Sequence, residues 1–301
     1  MQLVLLGFGN LQDLKYLIFV LFLICYVIII FGNSLVISLI TTNKKLHSPM
    51  YFFLCNLSVS EILFTTILLP NILYVIWGNG GSISFYGCIT QYYLGASVGS
   101  SECLFLTVMA YDRYLAICNP LRYSTIMNNK MQNHLSLCSW LPGFIAMAFL
   151  VISICNLKYC GSNIIDHVLC DPVLFLQLSS TDTYLFEIVG SIVTFLFCLL
   201  PFTLIILSYV SIFFTILRIP SRTSRRKSFS TCSSHLASVF MYFGTISILY
   251  LVPSQQHSFT LNKIMSLIYS VVNPLLNPMI YSLRNQEMKS CIVAYFAPKK
   301  T

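Results

Sequence analysis

The stretch MAYDRYLAICNPLRY, Met109–Tyr123, sets Asp112, Arg113 and Tyr114 side by side at the end of a long apolar run. Charged residues are scarce here: 9% of 301 residues, against 57% hydrophobic, with a mean hydropathy of +0.80. Soluble domains carry about 25% charged residues, so this chain lacks the material for an ordinary water-facing surface. The acid–base pair therefore reads as standing at the edge of a membrane span.

A spanning helix needs about 20 mostly apolar residues. Seven such runs lie near Tyr16–Ile40, Met50–Trp77, Ile89–Ile117, Leu135–Ile154, Tyr184–Leu217, Phe229–Leu251 and Phe259–Leu283. None shows the short apolar/polar alternation of a transmembrane β-barrel strand. The expected fold is an all-α membrane protein, a seven-transmembrane helix bundle over 16–283. A tail, 1–15, precedes it. A cytoplasmic segment, 284–301, follows, in which RNQEMKS (Arg284–Ser290) reads as a short amphipathic helix lying on the membrane. The first apolar run is too long for a signal peptide's core and no small-residue cleavage site follows it, so the tail is expected to stay attached.

Fourteen of the 17 Lys and Arg residues fall on the side of Arg113, and only Lys15, Lys158 and Lys263 on the other. Basic loops stay in the cytoplasm, which predicts an extracellular N-terminus. The net charge of +8 is thus topological, and the bases flank spans without forming a groove for nucleic acid. The segment RIPSRTSRRKSFSTCSSHL (Arg218–Leu236) reads as an anchor to anionic lipid and as a docking surface with phosphorylatable serines.

Three cysteines, Cys88, Cys160 and Cys170, fall on or beside the outer face. There a pair is expected and one is left over, with the pairing open. The only glycosylation sequon, Asn56-Leu57-Ser58, lies inside a span.

Several constellations carry chemistry. Asp112 and Arg113 either anchor a helix end in the headgroups or form a latch with two states, since a planar guanidinium can hold one partner and later another. Glu61 and Glu102 are acids deep in spans, where a carboxylate needs a partner or a proton. Either each is protonated and bonded to neighbours such as Ser58, Asn33 or Ser101, or both face one polar cavity with Asn273 and Asn277. Pro274 and Pro278 read as a static kink or as a hinge beside Asn273, Asn277 and Tyr281. Gly95, Ala96, Gly99 and Ser100 keep one helix face small, for close packing or for a cavity wall.

These motifs together resemble those of the vertebrate odorant receptors, a branch of the rhodopsin-like G-protein-coupled receptors. The resemblance runs from LLGFGN (Leu5–Asn10) through GNSLVI (Gly32–Ile37), LHSPMYFFLCNLS (Leu46–Ser58), MAYDRYLAICNPLRY, SY (Ser208–Tyr209) and STCSSHL (Ser230–Leu236). It ends at NPLLNPMIYSLRN (Asn273–Asn285) and Lys289.

The resemblance implies a plasma-membrane receptor that binds a small, mostly apolar volatile molecule from outside. It implies coupling to a stimulatory, olfactory-type heterotrimeric G protein that raises cyclic AMP, with no enzyme chemistry. Asp112, Arg113, Tyr114, Tyr209, Asn277, Pro278 and Tyr281 would form the activation switch. Glu61, Glu102, Asn273 and Asn277 would form an intramembrane site for a sodium ion or shared protons. The ligand would meet Gly95, Ala96, Gly99, Ser100, Thr194, Phe197, Phe243, Ser247, Tyr250, Leu267 and Ser270, a set without acid or base that suits a neutral ligand. No resident cofactor besides the sodium ion is expected, and no metal.

The resemblance also implies a Cys88–Cys170 disulfide. A further cysteine usual in the family is Ser180 here, which leaves Cys160 without its partner. In MYFGT (Met241–Thr245) the usual order of Tyr and Phe is exchanged, so Phe243 lacks a hydroxyl often found at a switch position. Rival readings are a receptor of this fold serving a metabolite outside the nose, and a transporter. A transporter would need two related halves with broken helices, and no such repeat is found.

Overall fold

The computed structural model describes residues 2–9, 14–159, 163–171, 175–176, 178–251, 259–284 and 286–296. Its helices are α1 (Leu14–Thr42), α2 (Pro49–Trp77), α3 (Phe85–Cys118), a short α4 (Pro120–Ile126) and α5 (Asn129–Cys155). Then come α6 (Tyr184–Leu217), α7 (Arg222–Leu251), and α8, which runs through Phe259–Leu267, Ile268–Val272 and Asn273–Arg284. Last is α9 (Gln286–Phe296), in the stretch read as amphipathic. The seven long helices form the bundle.

Among the described residues, six of the seven include a stretch long and apolar enough to cross a membrane. Apolar side chains such as Leu17, Phe31, Ile145, Phe149, Leu207 and Phe214 face outward. Such a belt has lipid as its solvent, which leaves backbone polar groups to be paired within the protein.

Local signals explain where the helices start and bend. Ser84 caps α3, its Oγ accepting the Gly87 N–H at 3.0 Å, and Asn128 caps α5 through the Met131 N–H. Pro49 opens α2, where its missing N–H has no helical partner to lose. Wide π turns occupy Phe195–Leu199 of α6 and Ile268–Val272 of α8, each just ahead of a proline, Pro201 and Pro274. A proline cannot bond to the carbonyl four residues back and clashes with it; a π turn accommodates the break by inserting a residue. Asn33 of α1 donates to the Pro274 carbonyl at 3.4 Å, re-satisfying the broken ladder.

A three-stranded sheet was not foreseen. Strands β1 (Gln2–Leu5), β2 (Gly81–Ser84) and β3 (Ile164–Ile165) lie in the order β2-β1-β3, antiparallel then parallel. The segment expected as a plain tail therefore supplies the middle strand, with Leu3 and Leu5 buried. Gly7 turns the chain out of β1 at φ +63°, where a Cβ would stand 2.7 Å from Val75.

The Lys263 ammonium of α8 then clamps this end. It donates to the Gly7 carbonyl at 2.8 Å and to the Asp166 carboxylate at 2.6 Å. A disulfide joins Cys88 of α3 to Cys170, the pair that the resemblance implies. It closes a separation of 82 residues, which on the chain-entropy estimate stabilises the fold by about 4–5 kcal/mol. Ser180 holds the loop's return, its N–H and Oγ–H both donating to the Lys158 carbonyl. Cys160 lies outside the described residues.

His167 sits under the loop, buried, its Nδ1 accepting the Leu169 N–H at 3.1 Å, with Ser266 of α8 3.5 Å from Nε2. Burial holds its imidazole below the usual histidine range; the Asp171 and Asp166 carboxylates oppose this and the Lys263 ammonium reinforces it. A histidine kept neutral by folding binds its proton more readily when unfolded. Its contribution is therefore present above the ordinary value of about 6.5 and is lost as pH falls below it. The thermal midpoint of the purified protein should drop between about pH 7.5 and 5.5, and His167→Gln should flatten that drop; an unchanged slope in the variant would refute the assignment.

Candidate functional site

Three features line up along α3, which packs against α2, α5, α6 and α7. Below the sheet lies a cavity of about 240 Å³. From α3 it takes Tyr92, Ala96, Gly99, Ser100 and Cys103, and from α5 Met147 and Leu150. From α6 come Phe186, Gly190, Val193, Thr194, Phe197 and Cys198; Tyr242 and Ile246 of α7 and Tyr269 of α8 complete it. A smaller chamber of about 80 Å³ adjoins it, sharing Tyr92, Ala96 and Tyr269 and adding Gln91, Gly95, His167, Asp171 and Ser266 among others. The main cavity lies below the roughly 300–1,000 Å³ of sites for drug-sized molecules, so it suits a small ligand.

Of the residues expected around a ligand, Ala96, Gly99, Ser100, Thr194 and Phe197 line the main cavity and Gly95 the adjoining chamber. Phe243 does not: it is fully buried against Phe202, ring centroids 5.2 Å apart. One residue along a helix is a turn of about 100°, so Tyr242 faces the cavity while Phe243 faces α6. Ser247, Leu267 and Ser270 also stand outside the lining; the Ser270 hydroxyl donates to the Ser266 carbonyl instead. The π turn of α8 offsets the faces on either side of it, bringing Tyr269 inward. The Tyr250 side chain lies outside the described residues. The neutral wall expected of the site holds for the main cavity, but the adjoining chamber carries Asp171 and His167.

Much of the lining was missed by sequence reading. Tyr92, Ala96, Gly99 and Cys103 follow a 4-3-4 spacing along α3 that marks one helical face, and this was the available signal. The aliphatic and sulfur side chains of α5 and α6 carried none, because lipid-facing and cavity-facing residues look alike there.

Half-way down the bundle, Glu61 of α2 is buried and accepts a short hydrogen bond from Asn277 Nδ2 of α8. Asn273 donates to Thr245 of α7 at 3.2 Å. Glu102 is buried one turn along α3 from Gly99. Among the described residues, Glu102 Oε1, Asn273 Oδ1 and Asn277 Oδ1 have no hydrogen-bond partner. The four residues expected to share a polar site are thus tied in one pair, Glu61 with Asn277, beside three acceptor oxygens. Among the described residues, no group of three or more His, Cys, Asp or Glu side chains gathers to hold a metal.

At the far end, Arg113 grips Asp112 with Nε at 3.0 Å and Nη2 at 2.5 Å. Tyr123 donates to the other carboxylate oxygen at 2.8 Å, and Asp112 is fully buried. Tyr114 packs partly buried on the same core. Tyr209 is paired with His235 of α7, hydroxyl to Nδ1 at 2.7 Å with the rings stacked. Tyr281 is buried on α8 a turn beyond Pro278.

Comparison with known proteins agrees with this geometry. A family model described as olfactory receptor matches residues 22–299. Human olfactory receptor 10A6 is 43% identical over 292 residues, 97% of this chain and 93% of that protein. Human olfactory receptor 11A1 is 42% identical over 301 residues, 100% of this chain and 95% of that protein. The crystal structure of squid rhodopsin matches the fold with a TM-score of 0.76 at 19% identity, covering 96% of this chain and 87% of that one. The chain belongs to the olfactory receptor family, odorant-sensing seven-helix receptors that are not enzymes.

Proposed function

We propose that this receptor sits in the plasma membrane with its N-terminus outside. It binds a small, neutral, mostly apolar volatile molecule in the cavity of about 240 Å³ and activates a stimulatory, olfactory-type G protein that raises cyclic AMP. The observation that carries this reading is the alignment along α3: cavity wall at Gly99, buried acid at Glu102, latch at Asp112–Arg113. The orientation is supported by the concentration of Lys and Arg at the Arg113 end. Anionic lipid headgroups are the partner that this basic rim attracts.

Activation requires the far end to open. The Asp112 grip keeps the Arg113 guanidinium folded against its own helix, and the Tyr209–His235 pair ties α6 to α7 there. A ligand that favours the open arrangement by its differential contacts shifts the balance toward it. In cells expressing the stimulatory G protein, an odorant that raises cyclic AMP through wild type should have no such effect through Arg113→Ala at equal surface level. A full response in the variant would sink the latch, and a response carried by another G-protein class would overturn the coupling.

Glu61, Glu102, Asn273 and Asn277 supply hard oxygen donors, which fit a sodium ion. The ion would neutralise a buried carboxylate and brace α2, α3 and α8 in the resting arrangement. A site half-saturated at one-tenth of the sodium present would stabilise the fold by about 1.4 kcal/mol. Purified receptor should therefore melt at a higher temperature in sodium chloride than in choline chloride, with the difference gone in Glu61→Gln and Glu102→Gln. Equal melting of the wild type in both salts would argue for shared protons.

A further inference from the structure

The order of Tyr242 and Phe243 leaves this receptor with a hydroxyl one residue earlier on α7 than its family resemblance implies, and the structure gives that hydroxyl a place. Tyr242 donates to the Gly99 carbonyl of α3 at 2.6 Å, and its oxygen lies 3.2 Å from the Tyr269 hydroxyl of α8. A phenol has one hydrogen. The hydrogen of Tyr242 is engaged by Gly99, so the second contact is donated by Tyr269 to the Tyr242 oxygen. A directed chain results, Tyr269 to Tyr242 to Gly99, crossing three helices at the cavity wall.

Gly99 makes the chain possible: a Cβ there would stand 2.6 Å from the Tyr269 oxygen. Ser100, the neighbouring hydroxyl on the wall, donates to the Ala96 carbonyl at 2.8 Å within its own helix. The Tyr269 hydrogen is held by a longer bond than that of Tyr242, and it can turn into the cavity.

We propose that the Tyr269–Tyr242 chain is the subsite that recognises the ligand's polar group, that it selects a hydrogen-bond acceptor of the carbonyl class (an aldehyde, ketone or ester), and that taking up the Tyr269 hydrogen releases one of the ties between α8 and α7, the Asn273–Thr245 bond remaining. This rests on the reading of the cavity as the odorant site. A carbonyl oxygen accepts from Tyr269 in place of Tyr242, so one hydrogen bond is exchanged for another and the net cost is small. A hydrocarbon offers no acceptor and leaves the chain closed. Recognition and the release of an α7–α8 tie are then one event, directly above Glu102.

The test uses full-length receptor purified in detergent, with octanal and n-octane as probes and ligand-induced thermal stabilisation as the readout. Wild type should be half-stabilised by octanal at a concentration about three- to tenfold below that for octane. In Tyr269→Phe the ratio should fall to about one through loss of octanal affinity, octane being unchanged. Tyr242→Phe should keep or widen the preference, because it frees the Tyr269 hydrogen. Gly99→Ala, which crowds the hydroxyl and leaves the ring in place, should act like Tyr269→Phe.

Octanal and octane weakened equally by Tyr269→Phe would mean that the ring only packs, and the proposal fails. It fails equally if Thr194→Val abolishes the preference while Tyr269→Phe does not. Should neither probe stabilise wild type while a non-carbonyl odorant does, the carbonyl class is wrong and the odorant cavity stands. No stabilisation by any of a broad odorant panel would remove both.

Discussion

The hydrocarbon around the bundle offers no hydrogen bonds, so a polar group buried within it depends on partners from the protein. The Glu61 carboxyl meets this constraint through Asn277, and Asn33 meets it on behalf of the Pro274 carbonyl. Both contacts reach across to α8, the helix whose ladder the prolines interrupt. A proline-broken helix in lipid would expose unpaired carbonyls at a cost of several kcal/mol each. α8 can be irregular there because α1 lends it a side chain. That irregularity has a use, since the π turn ahead of Pro274 is what aims Tyr269 at the cavity.

Polar groups therefore recur along α3 in an otherwise apolar bundle. Gly99 and Glu102 are one turn apart on α3, and Asp112 is ten residues further, about 15 Å along the axis. Tyr242 and Asn273 add polar groups from α7 and α8. Net hydrogen-bond energies near 1 kcal/mol mean that such groups can trade partners at little cost. Unused acceptors at Glu102 and Asn273 give the trades somewhere to go. A well-satisfied apolar core would have been more rigid and could not carry a message.

How much of this could be read from residues alone depends on the physics involved. The seven spans were legible because hydrocarbon thickness imposes a length and a composition on each. Asp112, Arg113, Glu61 and Asn277 stood out because charge and amide groups are rare in spans. The strand Gln2–Leu5 did not, since four residues form a strand only when Gly81–Ser84 and Ile164–Ile165 present their edges. Lys263 was counted merely as a base on the sparse side, although it clamps Gly7 and Asp166. The cavity wall was half legible: small residues on α3 line it, while on α7 Tyr242 faces it and the expected Phe243 stands one residue and about 100° of helix away. Such faces are set by packing against neighbours, and a single helix does not contain that information.

The two ends of the bundle are held by unlike forces, and the difference bears on how the receptor works. The sheet end carries a disulfide from α3, a sheet that knits three separate segments, and a lysine bonded to two partners. Among the described residues the Arg113 end is held by side-chain hydrogen bonds without a disulfide, with α7 attached to α6 through Tyr209 and His235. A disturbance at the cavity meets a stiff lid above and a re-pairable set of contacts below. The lower contacts give way first, because exchanging a hydrogen-bond partner costs far less than distorting a cross-linked sheet. A bundle held in this way can yield at the Arg113 end while the sheet end stays in place.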